Sequence, residues 1–210
     1  MKILFLPISL LFISVLYSQS DKMNNSDSSK FEVAYSYGIS YLEYADGNPE
    51  DPLNLSVSPF GSFQELNFDF RLPKNRYIGL GLSRQQHRES IDRSLVFNDS
   101  VELLLSDYDN ILQTNYIDVH FRQVFKNGFQ LTFGLYYLNQ TENRLQIVVF
   151  ENFTGFRLSS DTINDAGIFI SPEYFFDINT YFELGLKAKA YYTFGVFEAI
   201  TLLPTARFKI

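Results

Sequence analysis

Two histidines, His87 and His120, are the side chains of this sequence best suited to acid–base chemistry. A histidine can activate a serine hydroxyl for nucleophilic attack when the two groups lie within about 3 Å of each other. Residues 87–90 (HRES) offer the types that such a reaction needs, and Asp99 and Ser100 follow in the same segment. Their spacing matches no catalytic motif, and polar segments contain such neighbours by chance. We therefore predict no catalytic residue and no enzyme activity.

The sequence also lacks the patterns that hold metals, cofactors or nucleic acids. Residues 46–51 (DGNPED) provide oxygen ligands, but without the ligand spacing of a calcium loop. There is no cysteine, no glycine-rich phosphate loop and no basic patch, and 24 acidic side chains outnumber 17 basic ones. We predict no cofactor, no metal site and no nucleic-acid partner.

The charged residues alternate with apolar ones, which indicates β-strands. In residues 181–192 (YFELGLKAKAYY), Leu184 and Leu186 share one face while Glu183 and Lys187 share the other. Successive strand side chains point to opposite faces, so a period of two separates an apolar face from a charged one. Eight segments of about ten residues show this period. They are residues 31–42, 62–72, 76–86, 114–125, 129–139, 165–176, 181–192 and 200–210.

The links between these segments alternate between short and long. Tight turns are predicted at residues 73–75, 126–128 and 177–180, with Asn127-Gly128 as a strong hairpin signal. The long links at 87–113 and 140–164 contain strand-like pieces, which we expect to extend the neighbouring strands. An even strand number with this alternation predicts an all-β, eight-stranded antiparallel up-and-down transmembrane β-barrel. Pro172 and Pro204 predict bulges or shifted strand boundaries.

The start of the chain predicts export. Residues 1–20 contain one lysine, an apolar run and then small polar residues, which is the pattern of a secretory signal peptide. Residues 21–30 are polar and without period, and we expect a disordered periplasmic lead. Residues 31–210 form the predicted barrel domain, with both termini and the tight turns facing the periplasm.

The charged face of the predicted strands would line the barrel interior. Eight strands leave an interior just wide enough for side chains to fill, so buried charges there must pair with each other or with water. We predict an internal salt-bridge network, with a gated polar conduit as the alternative. The residues predicted for this lumen network are Glu32, Glu65, Asp69, Arg71, Asp118, His120, Arg122, Glu173, Glu183, Lys187, Lys189, Arg207 and Lys209.

Two further features belong to the outside of the predicted barrel. Aromatic residues cluster at the strand ends, as expected for interfacial girdles. The predicted inner girdle is Tyr77, Phe125, Phe129, Tyr174, Phe175, Phe176, Tyr181 and Phe182, and the outer one is Tyr41, Tyr44, Tyr137, Tyr192, Phe194 and Phe197. The long links are acidic, as is the last link with Glu198, and His87 is placed at the outer rim.

The signal sequence, eight alternating strands, tight turns and a last strand with an aromatic near its end (206–210, ARFKI) resemble small bacterial outer-membrane barrels. The resemblance is to the outer-membrane β-barrel domain family of Bacteroidetes-like organisms, related to the OmpA and OmpX architecture. It implies a bacterial outer-membrane location, contact with membrane lipid and lipopolysaccharide, and insertion by the outer-membrane assembly machinery. It says little about activity.

We therefore expect a monomeric, non-enzymatic outer-membrane protein whose acidic loops serve envelope integrity, adhesion or ligand binding. One alternative is a lipid A-modifying barrel enzyme that uses His87 or His120. The other is a soluble calycin-like barrel, in which the apolar face would line a ligand cavity and the charged face would meet water.

Overall fold

The structure, a computed structural model, is a closed ring of eight antiparallel strands in sequence order. It describes residues 30–43, 57–97, 101–125, 128–150, 153–193 and 196–210, and only the backbone within 91–108 and 144–157. The strands are β1 (Phe31–Leu42), β2 (Phe60–Leu72), β3 (Arg76–Phe97), β4 (Val101–Val124), β5 (Phe129–Phe150), β6 (Phe153–Asn179), β7 (Phe182–Thr193) and β8 (Val196–Lys209). The predicted eight-stranded fold is confirmed. The predicted signal peptide, residues 21–29 and the acidic stretch 46–51 lie outside the described residues.

The ring closes where β1 pairs with β8. The backbones of Phe31 and Ile210 bond to each other in both directions, at 3.3 Å and 2.8 Å. A row of paired residues that starts at Phe31 and crosses all eight strands returns to β1 at Tyr41. This stagger tilts the strands by about 40° from the barrel axis, within the usual range for closed barrels.

The β2–β3 link is a tight turn of the predicted kind. Lys74 and Asn75 both have positive φ angles, of 64° and 55°. Such a turn matches the twist of the two strands, and asparagine tolerates this conformation better than lysine does. The end of the barrel that carries this turn is called the tight-turn end below.

At the opposite end, two hairpins extend beyond the ring. β3 and β4 stay paired out to Phe97 and Val101, and β5 and β6 stay paired out to Phe150 and Phe153. β4 and β5, however, pair only as far as Ile111 and Asn143. The predicted extension of these strands is confirmed, and β3, β4, β5 and β6 are much longer than the segments predicted from alternation. This is the hairpin end of the barrel.

Neither proline produces the predicted bulge. Pro172 pairs with Leu131 and Pro204 pairs with Leu186 without a change of register. Each proline also faces a second neighbouring strand, β7 for Pro172 and β1 for Pro204. There, two successive residue pairs are missing at the proline, and the pairing then continues in the same register. A proline has no N–H to donate to that second neighbour, so the ladder is interrupted locally but not shifted.

The two faces of the wall differ sharply. The outward rows hold aliphatic and aromatic side chains that are about half exposed or more, such as Ile39, Leu80, Val119 and Leu135. The inward rows hold the buried charged and polar residues. This arrangement is the reverse of what the soluble calycin-like alternative requires. In the described part of the chain there is no helix long and apolar enough to cross a membrane.

Candidate functional site

The tight-turn half of the lumen is filled by charged side chains, which we call the charged layer. All of its members are less than a tenth exposed. They are Glu32, Glu65, Asp69, Asp118, His120, Arg122, Glu173, Glu183, Lys187, Lys189 and Arg207. Alternation places them on inward positions of β1, β2, β4, β6, β7 and β8. The structure therefore brings eleven of the thirteen predicted network residues together in one layer.

Glu65 lies at the centre of this layer between two lysines. Its two carboxylate oxygens accept hydrogen bonds from Lys187 Nζ and Lys189 Nζ, each at 2.6 Å. Lys189 also donates to Asp118 at 3.0 Å, and Lys187 Nζ lies 3.9 Å from Glu173. Because each buried ammonium faces a carboxylate, neither charge is left without compensation.

His120 lies between two carboxylates of the same layer. Its Nδ1 is 2.6 Å from Asp118 Oδ1, and its Nε2 is 2.9 Å from Asp69 Oδ1. Gly79 and Gly81 on β3 make room for these contacts, because a Cβ at Gly79 would lie 2.4 Å from His120 Nε2 and one at Gly81 would lie 2.4 Å from Asp118 Oδ2. The histidine acts as a bridge inside the lumen.

Two arginines complete the layer toward the tight-turn end. Arg122 donates to Glu32 and lies over the ring of Tyr77, with the guanidinium carbon 4.1 Å from the ring centre. Arg207 donates to Glu173 and Glu183, both at 3.1 Å. It lies 3.6 Å from the centre of the Phe175 ring. Each cation is thus held by carboxylates and by an aromatic face.

These stacking contacts correct the predicted inner girdle. Tyr77 and Phe175 are buried and point into the lumen, whereas Phe129, Tyr174, Phe176 and Tyr181 are exposed as predicted. Their inward direction follows from alternation, since Tyr77 lies two positions before Gly79 and Phe175 two positions after Glu173. Tyr44 and Phe194 of the predicted outer girdle lie outside the described residues.

The other two predicted network residues lie at the margin of the layer. Lys209 bonds to Glu183 at 2.7 Å and to the exposed Asp177 at 3.2 Å. Arg71 is half-buried and donates to the Asn75 side chain at 3.4 Å, beside the β2–β3 turn. Both are therefore closer to the turns than to the centre of the network.

A cavity of about 10 Å³ lies within the charged layer. Among the atoms of its lining residues, Asn67 Oδ1, Ser171 Oγ and Arg122 Nη1 are buried without a protein hydrogen-bond partner. A polar space of this size holds about one water molecule. The cavity is therefore suited to a bridging water and is too small for an organic ligand.

Toward the hairpin end, the charged layer gives way to an aromatic layer of five rings: Phe63, Tyr116, Tyr136, Phe169 and Tyr191. The Tyr191 ring centre lies 4.6 Å from that of Tyr116, 5.2 Å from Tyr136 and 5.9 Å from Phe63. Lys189 Nζ joins the two layers, 3.8 Å from the centre of Phe169. No aromatic layer was predicted inside the lumen, although inward aromatic residues on neighbouring strands signal it. The packed rings argue against the polar conduit.

His87 and Glu198 lie inside the lumen beyond this layer, whereas His87 was predicted at the outer rim and Glu198 in the last link. His87 is buried, with Nδ1 2.8 Å from the Ser58 carbonyl oxygen and Nε2 3.2 Å from Ser40 Oγ. Glu198 accepts hydrogen bonds from Tyr136 at 2.7 Å and Thr193 at 2.5 Å. Both were misplaced because β3 and β8 extend further than the alternation indicated.

The geometry around the two histidines does not favour catalysis. Ser40 and His87 have the separation of a nucleophile and a base, but both are about 1% exposed. The second nitrogen of His87 faces a backbone carbonyl, not a carboxylate. Both ring nitrogens of His120 face carboxylates of the charged layer, and no hydroxyl lies against either of them among these contacts. Among the described residues no group of histidine and carboxylate side chains could hold a metal ion.

A closed ring of eight up-and-down strands with an ionised interior and an apolar outer wall defines the fold of the small outer-membrane β-barrels. Solved structures of known outer-membrane proteins share this fold. The chain is similar to Ail, the attachment invasion locus protein of Yersinia pestis, in complex with the heparin analogue sucrose octasulfate. The TM-score is 0.52 at 10% identity, over 87% of this chain and 99% of Ail.

A second structure of Ail gives a TM-score of 0.50 at 10% identity, over 87% of this chain and 99% of that one. Neisserial surface protein A gives 0.48 at 9% identity, over 86% and 97% of the two chains. No protein-family model and no curated protein matches the sequence. At these identities the similarity is one of fold alone.

Proposed function

We propose that this protein is an integral outer-membrane β-barrel without enzyme activity, which displays its two long hairpins at the cell surface. The observation that supports this proposal most strongly is the distribution of apolar and charged side chains across the barrel wall. Lipid-facing positions of such barrels are apolar, and lumen-facing positions are polar. Here Leu80 is 56% exposed and Leu135 is 65% exposed, while Glu65 and Arg122 are 2% exposed.

The extent of the apolar surface supports this proposal. Soluble monomers rarely expose contiguous apolar patches larger than a few hundred Å². In this barrel, large apolar side chains are exposed on the outward rows of all eight strands. A hydrocarbon environment accounts for this surface, because its burial in lipid removes it from water. Tyr41, Tyr137 and Tyr192 then form a girdle toward the hairpin end.

The orientation follows from the two unequal ends. Outer-membrane barrels have short periplasmic turns and longer extracellular segments. The β2–β3 turn and the paired ends of β1 and β8 would therefore face the periplasm, and the β3–β4 and β5–β6 hairpins would face outward. We expect insertion by the outer-membrane assembly machinery, contact with membrane lipid and lipopolysaccharide, and a monomeric state.

Among the described residues, the hairpins offer the surface for recognition, because the lumen is filled. They would serve adhesion, ligand binding or envelope integrity. The ligand in that structure of Ail, sucrose octasulfate, is an anionic analogue of heparin. The segments of this chain that form the hairpins are acidic, with Asp92, Asp99, Glu102 and Asp107 in β3–β4 and its link. Charge repulsion favours a neutral or cationic ligand for these hairpins instead.

The experiment is cell fractionation followed by gel electrophoresis of unheated and heated samples. We expect the protein in the outer-membrane fraction, released only by detergent, with a mobility that changes on heating. Externally added protease should cut the hairpins of intact cells and leave the rest protected. Release into buffer without detergent would contradict the proposal.

A further inference from the structure

The outer face of β3 carries an arginine where the apolar wall ends. Outward positions along this strand run Ile78, Leu80, Leu82 and then Arg84, and all four are exposed. A charged side chain on the lipid face is destabilising near the bilayer midplane and much less so at the interface. An arginine at this height therefore needs a partner at the level of the lipid headgroups.

No carboxylate of the described residues pairs with Arg84. Its Cα partners are Gln64 on β2 and Asn115 on β4, and its Nη2 donates to Gln113 Oε1 at 2.6 Å. All three neighbours are neutral amides. Arg88, two outward positions further along, differs because it pairs with Asp109. The charge of Arg84 is thus available to an external anion.

A groove of about 350 Å³ in the outer wall adjoins this arginine. Arg84, Gln64 and Asn115 line it toward the hairpin end. Leu66, Leu82 and Ile117 line it two residues closer to the tight turns along each strand. The groove therefore joins a cation and amide groups to an apolar floor on the same outer surface.

We propose that this groove binds an anionic lipid of the outer leaflet, with a lipid phosphate on Arg84 and an acyl chain along Leu82 and Ile117. The inference rests on the proposed membrane location and names a lipid partner within it. A guanidinium can bind a phosphate through two parallel hydrogen bonds, and amide groups supply further donors. Lipopolysaccharide, whose lipid A carries phosphates and acyl chains, fits this chemistry.

The test measures lipid A binding to the folded barrel in zwitterionic detergent, by native mass spectrometry titration. Arg84→Gln removes the charge and should weaken the affinity for lipid A about five- to tenfold. Arg84→Lys keeps the charge but loses the two-bond geometry. Its affinity for lipid A should lie between those of the wild type and Arg84→Gln. Arg88→Gln is the matched control, because that arginine is already paired, and it should bind like the wild type.

Equal affinity of the wild type and Arg84→Gln would overturn the inference. Displacement of lipid A by equimolar inorganic phosphate would also overturn it, because the site would then recognise a free anion and not a lipid. Insertion into phosphatidylcholine vesicles is checked first by protease protection. A barrel that fails to insert contradicts the proposed membrane location, whereas a barrel that inserts but shows no Arg84 dependence contradicts the lipid site alone.

Discussion

At the scale of single residues, the charged layer depends on pairing. Glu65 compensates two lysines at once, and Lys189 has a second carboxylate in Asp118 while Lys187 has only the more distant Glu173. Removing one partner of a buried ion pair leaves an uncompensated charge in a medium of low polarity. Such a change costs more than the pair itself contributes.

Glu65→Gln should therefore lower the free energy of unfolding by about 3 kcal/mol. Urea titration of the barrel in lipid vesicles measures this change. Lys187→Met in the same chain should recover part of the loss, because Lys189 keeps Asp118 and the orphaned ammonium is gone. Strictly additive losses in the double variant would show that the two side chains do not form a pair.

Lys74 offers a change in the opposite direction. Its positive φ costs a non-glycine residue roughly 1 kcal/mol, and glycine does not bear this cost. Lys74→Gly should raise the free energy of unfolding by about 0.5–1 kcal/mol in the same assay. Lys74→Asn should gain less, and a loss of stability with Lys74→Gly would contradict the turn geometry.

Alternation placed the eleven charged-layer residues on the inward face, where the structure has them, because each keeps the period of two of its strand, including Glu32 and Glu183 beside a strand start. The misplaced side chains are those to which the alternation was not applied. Tyr77 and Phe175 were assigned to the girdle by their clustering, although their positions in the alternation already pointed inward. His87 fell one residue beyond a predicted strand, so no face could be assigned to it. The pairing of carboxylates with cations could not be predicted, because it depends on the stagger between strands around the ring. The pattern within a single strand does not contain this stagger.

At the scale of the elements, the hairpins were harder to predict than the wall. Within the wall, successive residues face the outside of the barrel and the lumen in turn, and this produces the strict period of two. Beyond it, both faces of a hairpin meet water, and residues 158 to 165 are almost all exposed. No selection for alternation acts there, so the parts of β3, β4, β5 and β6 beyond the wall were recognised only as strand-like pieces.

The base of the β3–β4 hairpin carries a testable ion pair. A hydrogen bond from Arg88 holds the pKa of the Asp109 carboxyl below its ordinary value. A carboxyl with a lowered pKa stabilises the folded hairpin above the ordinary aspartate pKa, and this contribution is lost as the pH falls through the lowered value. Arg88 is exposed and Asp109 is only half-buried, so solvent screens the pair and we expect a small effect on stability.

Arg88→Gln should therefore raise the pKa of Asp109 toward that of a free aspartate. Carbon-13 NMR titration of the Asp109 carboxyl in micelles measures it directly. Arg84→Gln serves as the control, because Arg84 bonds to Gln113 and not to Asp109. An unchanged Asp109 midpoint in Arg88→Gln would show that the pair does not persist in solution.

At the scale of the whole molecule, the wall should respond to charge in a way that soluble proteins do not. Leu80 and Ile163 are both 56% exposed, but Leu80 lies halfway up the wall and Ile163 lies on the β5–β6 hairpin. Leu80→Arg should lower the free energy of unfolding in bilayers by about 2–4 kcal/mol. Ile163→Arg should change it by less than about 0.5 kcal/mol.

Equal, small effects of the two substitutions would mean that water surrounds both sites. That result would contradict the membrane location directly, without reference to cell fractionation. Repeating the pair of measurements in vesicles with thinner bilayers would show whether the Leu80 position stays within the hydrocarbon region.

The mutual bonding of Phe31 and Ile210 has a consequence for chain connectivity. Since the first and last strands are already neighbours, a short peptide could join these two residues without disturbing any ladder. New termini could then be opened at 98–100, between β3 and β4, giving a circular permutant with the same ring of strands. In the proposed membrane placement, such a permutant would start and finish on the opposite side of the bilayer from Phe31 and Ile210, which provides a route to displaying fused peptides there.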